Sequence, residues 1–417
     1  MSNRRRRSLR KRIGLTGCLT LVGITVLVLA IGVYLLLLPT DDGTEAQRAK
    51  GYPTTIAELD ALYPEPPVGE NAAEYYVQAG SILNQSTYPD LAEIPLFGGG
   101  NLPPLGTPIS DEMLAKISAF LDYEALAFQL IDEANQFEGS RDLAFNQPYT
   151  TTLIEMHKVL IGQWLRSRYY NSRGDTDATL AELSKLVHLA RSQVQAPTDG
   201  AFIPFKMSVE RTVSAIEFIL NENDLTRDQL TEVDGLLGKL LVEDALVNDI
   251  VAMRCRTLNQ FDAPQSYSIF NGLARTSFIE VTDAYIAIAE GGLPGQLDEY
   301  RALYDREFSW FEILGGIFAG NIYRTTQNFY ETQARVNMAR MAIAIQHLRL
   351  EGGDIPNDWD DMPDELASTW PLDPFSGQPL RYKRIDEGFV IYSVGVNFAD
   401  DGGYGPPARD LVLRVLR

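Results

Sequence analysis

The sequence predicts a mainly α-helical protein with a single N-terminal transmembrane helix and a small C-terminal α+β module. Three observations predict this fold class. Residues 13–38 carry no charge, apolar residues recur at helical spacing between residues 111 and 350, and short alternating segments follow residue 380. We therefore expect an irregular helical array, followed by a module with a three-stranded antiparallel sheet.

The uncharged run, Ile13 to Leu38, is long enough to cross a membrane. Its 26 residues would form a helix roughly 39 Å long, whereas a hydrocarbon core is about 30 Å thick. Seven cations and no acid precede the run, and the positive-inside rule keeps such a tail in the cytoplasm. We expect a basic cytoplasmic tail (1–12), a transmembrane helix (13–38) and an extracytoplasmic remainder.

Three other targeting signals share features with this end of the chain. A cleavable signal peptide has an apolar core of about 7 to 15 residues, shorter than this run, which ends in four leucines and Pro39. A lipoprotein box would follow the apolar run, whereas Cys18 lies inside it. The arginine pairs resemble a twin-arginine signal, but they are also the ordinary flank of a membrane helix. An uncleaved anchor fits the run best.

The composition indicates a folded and acidic exported part. Hydrophobic residues make up 45% and aromatic residues 10% of the chain, which excludes a disordered protein. The net charge is −20, and without the seven cations of the tail it is −27. We therefore expect no nucleic-acid binding by the exported part. The acidity keeps this part soluble or, alternatively, serves to bind divalent cations.

Cysteine usage excludes an intrachain disulfide in the exported part. Of the two cysteines, Cys18 lies within the uncharged run, so Cys255 has no partner. Its helical context predicts that Cys255 is a buried small hydrophobe.

The exported part divides into a tether and two folded regions. Residues 39–50 are short, polar and acidic, as expected of a tether. Residues 51–323 predict a helical domain, within which the nine prolines and glycines of residues 85–109 predict a long surface loop. Residues 324–417 predict the α+β module.

Capping residues and apolar periodicity place the helices of the first region. Thr55 and Glu58 form a capping-box pattern, and Asn71 and Ser110 are further N-cap candidates. Residues 173–177 are typical of the turn of a helical hairpin. Helices are expected at about 55–62, 71–83, 111–135, 153–174, 179–194, 209–220, 226 into the 250s, and 279–288.

The last region begins with a long helix, from about Arg324 to Leu350, which ends at a glycine pair suited to a C-cap. Residues 386–388 can then form the turn of a β-hairpin. Strands are expected at 380–384, 389–394 and 411–416, in a small antiparallel sheet packed on the long helix.

The order of motifs in residues 330–416 resembles that of a known module. After the glycine pair and Ile355-Pro356 come the strings DPFSGQPLRY (373–382), YSVG (392–395) and DDGG (400–403). This order resembles the globular half of the type II secretion major pseudopilin. It is also similar to the C-terminal part of many uncharacterised anchored bacterial proteins. The resemblance implies a bacterial envelope protein in the cytoplasmic (inner) membrane.

The chain departs from a pseudopilin at its N-terminal end. A pseudopilin carries glutamate at the fifth position of its mature helix, where this chain has Leu19, and that helix leads directly into the globular module. Here nearly 300 residues separate the anchor from the module. Assembly into a filament through a shared helical spine is therefore not expected.

The resemblance implies a calcium site in the loop after the Ser-x-Gly strand. Carried over by position, the oxygen donors would be Asn397, Asp400, Asp401 and Asp410, with backbone carbonyls completing the six to eight ligands that calcium prefers. The alternative is an ordinary turn, because aspartate can bind its own backbone and glycine can adopt positive φ.

No catalytic or cofactor-binding motif stands out in the sequence. The three histidines lie in helical patterns without metal-ligand spacing, and G-x-S-x-G is absent. The first hypothesis is therefore a membrane-anchored extracytoplasmic binding or scaffold protein, whose partner is an unknown envelope protein or the cell wall. The alternative is an envelope hydrolase with carboxylates converging in a cleft of the helical domain and residues 85–109 as a lid.

Overall fold

The computed structural model describes residues 24–29, 32, 44–143, 145, 152–198, 202–242, 244–261, 268–291, 296–305, 313–404 and 409–416. In these residues the protein is mainly helical and has a three-stranded antiparallel sheet near its C-terminal end. The helical character and the three-stranded antiparallel sheet of the predicted fold class are therefore confirmed.

Most of the predicted transmembrane run lies outside the described residues. Within it, residues 24–29 are helical. No helix in the described part of the chain combines the length and the apolar character needed to cross a membrane. The predicted tether is described from Thr44 onward, where α1 (Thr44–Ala49) begins and where Thr44 and Gln47 are buried.

The other helices and the strands follow in chain order, with short 3-10 turns at Leu91–Glu93 and Gly395–Asn397. The helices are α2 (Ile56–Leu62), α3 (Ala72–Asn84), α4 (Asp111–Tyr123), α5 (Ala125–Ala134), α6 (Leu153–Ser172), α7 (Thr176–Ser192), α8 (Phe202–Glu222), α9 (Arg227–Gly238), α10 (Ala245–Phe261), α11 (Ser268–Glu290), α12 (Gln296–Tyr304), α13 (Ile313–Leu350) and α14 (Asp364–Thr369). The strands are β1 (Arg381–Ile385), β2 (Gly388–Ser393) and β3 (Leu411–Val415).

Side-chain caps explain where several helices begin. The Thr55 hydroxyl accepts a hydrogen bond from Glu58 N (3.2 Å), and the Glu58 carboxylate accepts one from Thr55 N (3.2 Å), which is the predicted capping box. Asn71 and Ser110 cap α3 and α4 through their side-chain oxygens. Asp175 caps α7 in the predicted hairpin turn.

Several helix boundaries differ from those that periodicity predicted. Residues 111–135 form two helices, because the backbone of Glu124 leaves helical geometry (φ −92°, ψ 21°). α8 begins at Phe202, earlier than expected, and Pro204 is tolerated in its first turn because the N–H groups there have no partner within the helix. α11 and α13 likewise begin about eleven residues earlier than the predicted starts near Ile279 and Arg324.

One continuous core joins the helical array to the sheet. α6 packs against α3, α7 and α8, while α13 packs against α8, α9 and α11 and also against β2 and β3. The same cluster of buried residues includes Leu59 of α2 and Val415 of β3. The domain boundary predicted between residues 323 and 324 falls inside α13, so one helix belongs to both regions.

The strands have the spatial order β1-β2-β3, and both neighbouring pairs are antiparallel. β1 and β2 form the predicted hairpin, in which Ile385 pairs with Gly388 across a two-residue connection. Gly388 has φ 147°, a conformation that favours glycine. The central strand, β2, is buried along its whole length.

Polar side chains of α8 cover the outer edge of β3. The Glu217 carboxylate accepts a hydrogen bond from Arg414 N (2.7 Å). Asn221 donates to the Arg414 carbonyl (2.9 Å) and accepts from Leu416 N (2.5 Å). These side chains occupy backbone groups to which a further strand would otherwise bind. The array and the sheet are therefore joined by hydrogen bonds as well as by α13.

Candidate functional site

The predicted calcium ligands lie together in the loop that precedes β3. Asn397 Nδ2 donates to Asp401 Oδ2 (2.9 Å), which also accepts from Arg409 N (3.0 Å). Asp410 accepts from the backbone N–H groups of Asp401 (3.3 Å) and Gly403 (2.8 Å). The carboxylates of the loop thus bind donors of the loop itself.

Asp400 binds both the loop and the sheet. It accepts hydrogen bonds from Gly402 N (2.9 Å) and from Arg381 Nε of β1 (2.7 Å). Burial pushes the pKa of Asp400 up, but these donors outweigh burial and the net effect is a lowered pKa. Gly402 and Gly403 both have positive φ, 81° and 76°, as an Asp-Asp-Gly-Gly turn requires.

These hydrogen bonds are those expected of an ordinary turn. Calcium binding stays a prediction that rests on the resemblance to the pseudopilin module. Within the described residues, no group of three or more His, Cys, Asp or Glu side chains is arranged as a metal site. The three clefts described for this structure are lined by residues outside the 397–410 loop.

A buried carboxylate that sequence reasoning did not single out organises the same module. Asp373 is fully buried and accepts hydrogen bonds from the Ser393 hydroxyl (2.7 Å), Val394 N (3.0 Å) and Phe375 N (3.0 Å). Arg381 Nη1 lies 3.5 Å from Asp373 Oδ2. Asp373 therefore joins its own loop to the end of β2, which explains why the DPFSGQPLRY and YSVG strings occur together.

The hydrolase hypothesis requires acids of raised pKa in a cleft beside residues 85–109. Burial raises the pKa of Glu217 and of Asp410. Both accept backbone hydrogen bonds within the fold, and neither lines the three clefts. Residues 85–109 pack on the array through Phe97, whose ring centroid is 4.8 Å from that of Phe120. The hydrolase hypothesis thus finds no carboxylate pair in these clefts.

A polar cleft lies between the C-terminal ends of α7 and α9, and we call it the α7–α9 cleft. Its volume is about 440 Å³. The loop after α5 and the segment after α7 complete its walls. Its polar lining consists of Asn135, Gln136, Glu138, Ser184, His188, Arg191, Gln195 and Lys239.

Two side chains of the α7–α9 cleft are held rigidly by hydrogen bonds. His188 Nε2 lies 2.9 Å from the Phe137 carbonyl and therefore carries the proton, so Nδ1 accepts from the Tyr76 hydroxyl (2.7 Å). Burial lowers the pKa of His188 and outweighs the Phe137 carbonyl, which raises it. Gln195 donates to the Glu138 carbonyl (2.8 Å). His188 is thus a neutral part of the wall.

Arg191 and Lys239 supply the positive charge of the cleft. Both are exposed, and neither forms an ion pair with a carboxylate of the described chain. Arg191 lies in the last turn of α7 and Lys239 is the C-cap residue of α9, positions where the helix dipole stabilises a cation. Glu138 also lines the cleft, but it pairs with neither cation. With two cations against one carboxylate, the cleft can bind an anion through charge-assisted hydrogen bonds.

A second cleft, between α9 and α13, also has a volume of about 440 Å³ but has different electrostatics. Its arginine, Arg340, forms a bidentate pair with Asp234 (2.8 and 3.2 Å). That charge is already neutralised by the protein. The α7–α9 cleft is therefore the better candidate site for a charged ligand.

Sequence reasoning missed the α7–α9 cleft because its two cations carry no motif. Arg191 and Lys239 are 48 residues apart, and each is an ordinary residue for the end of a helix. Arg191 falls near the end of the helix predicted at 179–194, but Lys239 falls inside the helix predicted from 226 into the 250s, so no signal in the sequence marks the second cation. Only the packing of α7 against α9 brings those two ends to one cleft.

Comparisons with known proteins identify no protein similar to this chain. Neither a scan of protein-family models nor searches of curated proteins and of solved structures return a match to this chain. The pseudopilin resemblance therefore rests on the motifs of residues 330–416 alone.

Proposed function

We propose that the protein is a single-pass extracytoplasmic binding protein of the bacterial inner membrane, and that its α7–α9 cleft binds an anionic ligand. The membrane part of the proposal is supported by the uncharged run Ile13 to Leu38 and its basic flank. The ligand class is supported by one observation. Arg191 and Lys239 line one polar cleft without carboxylate partners in the described chain, although the protein as a whole is strongly acidic.

The cell wall is the partner that fits this location and charge. An exported cleft faces peptidoglycan, whose stem peptides carry free carboxylates. The planar guanidinium of Arg191 can bind a carboxylate through two parallel hydrogen bonds, and the ammonium of Lys239 adds a second point charge. Gln136, exposed in the same lining, offers an amide to the peptide groups of such a ligand.

Co-sedimentation with purified peptidoglycan sacculi tests this function. The full chain in lipid nanodiscs is compared with the double variant Arg191→Gln, Lys239→Gln. Hydrogen bonds to charged groups are worth roughly 1.5–3 kcal/mol each, so we expect the double variant to bind about tenfold more weakly or worse. Binding of the unaltered protein should also weaken as salt is raised.

A matched control removes two positive charges elsewhere. Arg409→Gln with Lys383→Gln changes exposed cations of the C-terminal module and leaves the cleft intact. We expect this control to sediment with sacculi like the unaltered protein. Equal binding by all three proteins would contradict the role of the cleft, and absence of sedimentation by the unaltered protein would exclude the cell wall as its partner.

A further inference from the structure

The second cleft, which we call the α9–α13 cleft, contains hydrogen-bond donors and acceptors, and its one carboxylate is paired with its one guanidinium. Its volume of about 440 Å³ lies within the range of about 300–1,000 Å³ typical of small-molecule sites. Its polar lining consists of Thr231, Asp234, Asn337, Arg340, His347 and Thr369, and its apolar lining of Met341, Ile343, Ala344 and Pro371.

The pair of Asp234 and Arg340 keeps hydrogen-bonding capacity for a ligand. A guanidinium has five N–H donors, and those on Nε and Nη2 bind Asp234 at 2.8 and 3.2 Å. Within the described chain the Nη1 group of Arg340 donates to no acceptor, and each oxygen of Asp234 can accept a further hydrogen bond. The two side chains are 36% and 37% exposed, so a ligand can reach both.

Neutral side chains extend this set of donors and acceptors. Asn337 is half-buried three residues before Arg340, and its amide forms no hydrogen bond to the described part of the chain. Thr231 and Thr369 each donate to a carbonyl of their own helix, at 2.9 and 3.0 Å. Because their hydroxyl protons are used, these two side chains present acceptors, whereas Asn337 presents both a donor and an acceptor.

An uncharged sugar matches this lining. Each sugar hydroxyl both donates and accepts, as the paired charges and the amide require. The carbon-bound hydrogens of a sugar ring can pack on Met341, Ala344 and Pro371. A charged ligand would gain little, because Asp234 and Arg340 already neutralise each other, and an apolar ligand would leave these polar groups without partners.

α9 forms a wall of both clefts. Thr231 and Asp234 line the α9–α13 cleft, while Leu236 and Lys239 line the α7–α9 cleft. A helix turns about 100° and rises about 1.5 Å per residue, so Asp234 and Lys239 differ by about 140° around the axis and about 7.5 Å along it. One ligand of modest size can therefore occupy both clefts by crossing α9.

Two exposed glycines, Gly235 and Gly238, lie on α9 between the clefts. Neither has a positive φ, and outside their own helical turns no atom of the described chain lies within 4 Å of the position that a Cβ would occupy. Neither backbone strain nor packing thus requires glycine, although glycine is a poor helix former. Glu232 of the same helix is exposed but lines neither cleft. The glycines leave bare backbone over which a ligand can pass.

We propose that the α9–α13 cleft binds an uncharged sugar of the cell-wall glycan, next to the stem-peptide carboxylate that the α7–α9 cleft binds. The inference rests on the proposed function, which supplies the cell wall as the partner. In peptidoglycan the stem peptide is attached to a sugar, so the two groups belong to one molecule. Binding in one cleft then makes binding in the other intramolecular, which raises the overall affinity.

Titration with the N-acetylglucosamine tetramer, which is uncharged and has no peptide, tests the sugar site alone. The full chain in nanodiscs is compared with Asn337→Ala and Asn328→Ala by isothermal titration calorimetry. Asn328 is the matched control, since it is a half-buried asparagine of α13 that lines none of the three clefts. We expect Asn337→Ala to bind the tetramer about tenfold more weakly and Asn328→Ala to bind it like the unaltered protein. The variant Arg191→Gln, Lys239→Gln should also bind it unchanged.

Gly235→Gln tests the path over α9 with purified sacculi. The new side chain stands on the backbone between the two clefts, and glutamine is a better helix former than glycine. We therefore expect the melting temperature not to fall, the tetramer to bind as before, and sacculi to bind at least tenfold more weakly, because the two clefts no longer act together. Equal binding of sacculi by Gly235→Gln and the unaltered protein would overturn the joint use of the clefts.

The two ligands separate this inference from the proposed function. Binding of sacculi by the unaltered protein, without binding of the tetramer at up to about 10 mM, would overturn the sugar site and leave the proposed function in place. Binding of the tetramer without binding of sacculi would contradict the proposed function and support the sugar site. Equal binding of the tetramer by Asn337→Ala and Asn328→Ala would overturn the assignment of the sugar to the α9–α13 cleft.

Discussion

The loop before β3 and the α7–α9 cleft both collect polar residues, but their polar groups have different partners. In the loop, Asp401 and Asp410 accept hydrogen bonds from backbone donors of the loop, and Asp400 also binds Arg381. In the cleft, Arg191 and Lys239 have no carboxylate partner in the described chain. The loop has the recognisable motif, whereas the cleft has charged side chains that are available to a ligand.

This difference separates stabilising chemistry from binding chemistry. A polar group that is satisfied within the fold contributes to stability, because its loss leaves buried donors without partners. An exposed cation without a partner contributes little to stability and is available to a ligand. Substitutions in the loop should therefore affect unfolding, and substitutions in the cleft should affect binding.

The largest loss of stability is expected for Asp373→Ala in the C-terminal module. The substitution leaves the donors of Ser393, Val394 and Phe375 buried without their acceptor. We expect the free energy of unfolding to fall by about 3 kcal/mol, measured by urea denaturation of the full chain in detergent. The double variant Arg191→Gln, Lys239→Gln should stay within about 0.5 kcal/mol of the unaltered protein. Equal losses in both variants would remove the distinction between loop and cleft.

A smaller change in stability, which depends on pH, is expected for Asp401→Asn. The backbone N–H of Arg409 and the amide of Asn397 lower the pKa of Asp401. A lowered folded-state pKa stabilises the protein above the unfolded value of about 3.9, and this stabilisation disappears as the pH falls through the folded-state pKa. Melting temperatures of the unaltered protein and of Asp401→Asn should therefore differ at pH 5 and converge toward pH 3.

Asp386→Asn is the control for this pH effect. Asp386 is exposed in the β1–β2 turn. Its substitution should shift the melting temperature by a similar small amount at both pH values. A difference between Asp401→Asn and the unaltered protein that persists unchanged to pH 3 would contradict the role of the Arg409 and Asn397 donors.

The smallest change in melting temperature is expected on addition of calcium. The resemblance predicts binding by Asn397, Asp400, Asp401 and Asp410, but their carboxylates already accept hydrogen bonds from the loop and from β1. We therefore expect millimolar calcium to leave the melting temperature of the full chain unchanged. A rise that Asp401→Asn abolishes would show that calcium replaces these donors, and the loop would then be a metal site.

The sequence predicted correctly those features of the fold that depend only on residues close together in the chain. The capping box of Thr55 and Glu58 and the hairpin between β1 and β2 depend on residues close in sequence, and both are confirmed. The hairpin turn is shorter than predicted, because Gly388 pairs with Ile385 and belongs to β2. The break at Glu124 and the early start of α13 could not be predicted, because packing between distant helices decides them. The covering of β3 by Glu217 likewise depends on a contact across 197 residues.

Site prediction followed motifs and therefore found the loop rather than the cleft. Asp400 and Asp401 stand in a string associated with calcium, yet the structure shows their internal hydrogen bonds. Arg191 and Lys239 have no distinguishing neighbours in sequence. Their significance is that they lack partners, a property that only the packed structure gives.

Protease accessibility in intact spheroplasts is the most direct test of the central claim, an anchored protein with its cleft outside the cytoplasm. The full chain is produced with tags at both ends, and the membranes are also extracted with alkaline carbonate. We predict that external protease removes the C-terminal tag and leaves the N-terminal tag on a membrane-bound fragment containing Ile13 to Leu38. Protection of the C-terminal tag until lysis, or release of the chain by carbonate, would contradict the account.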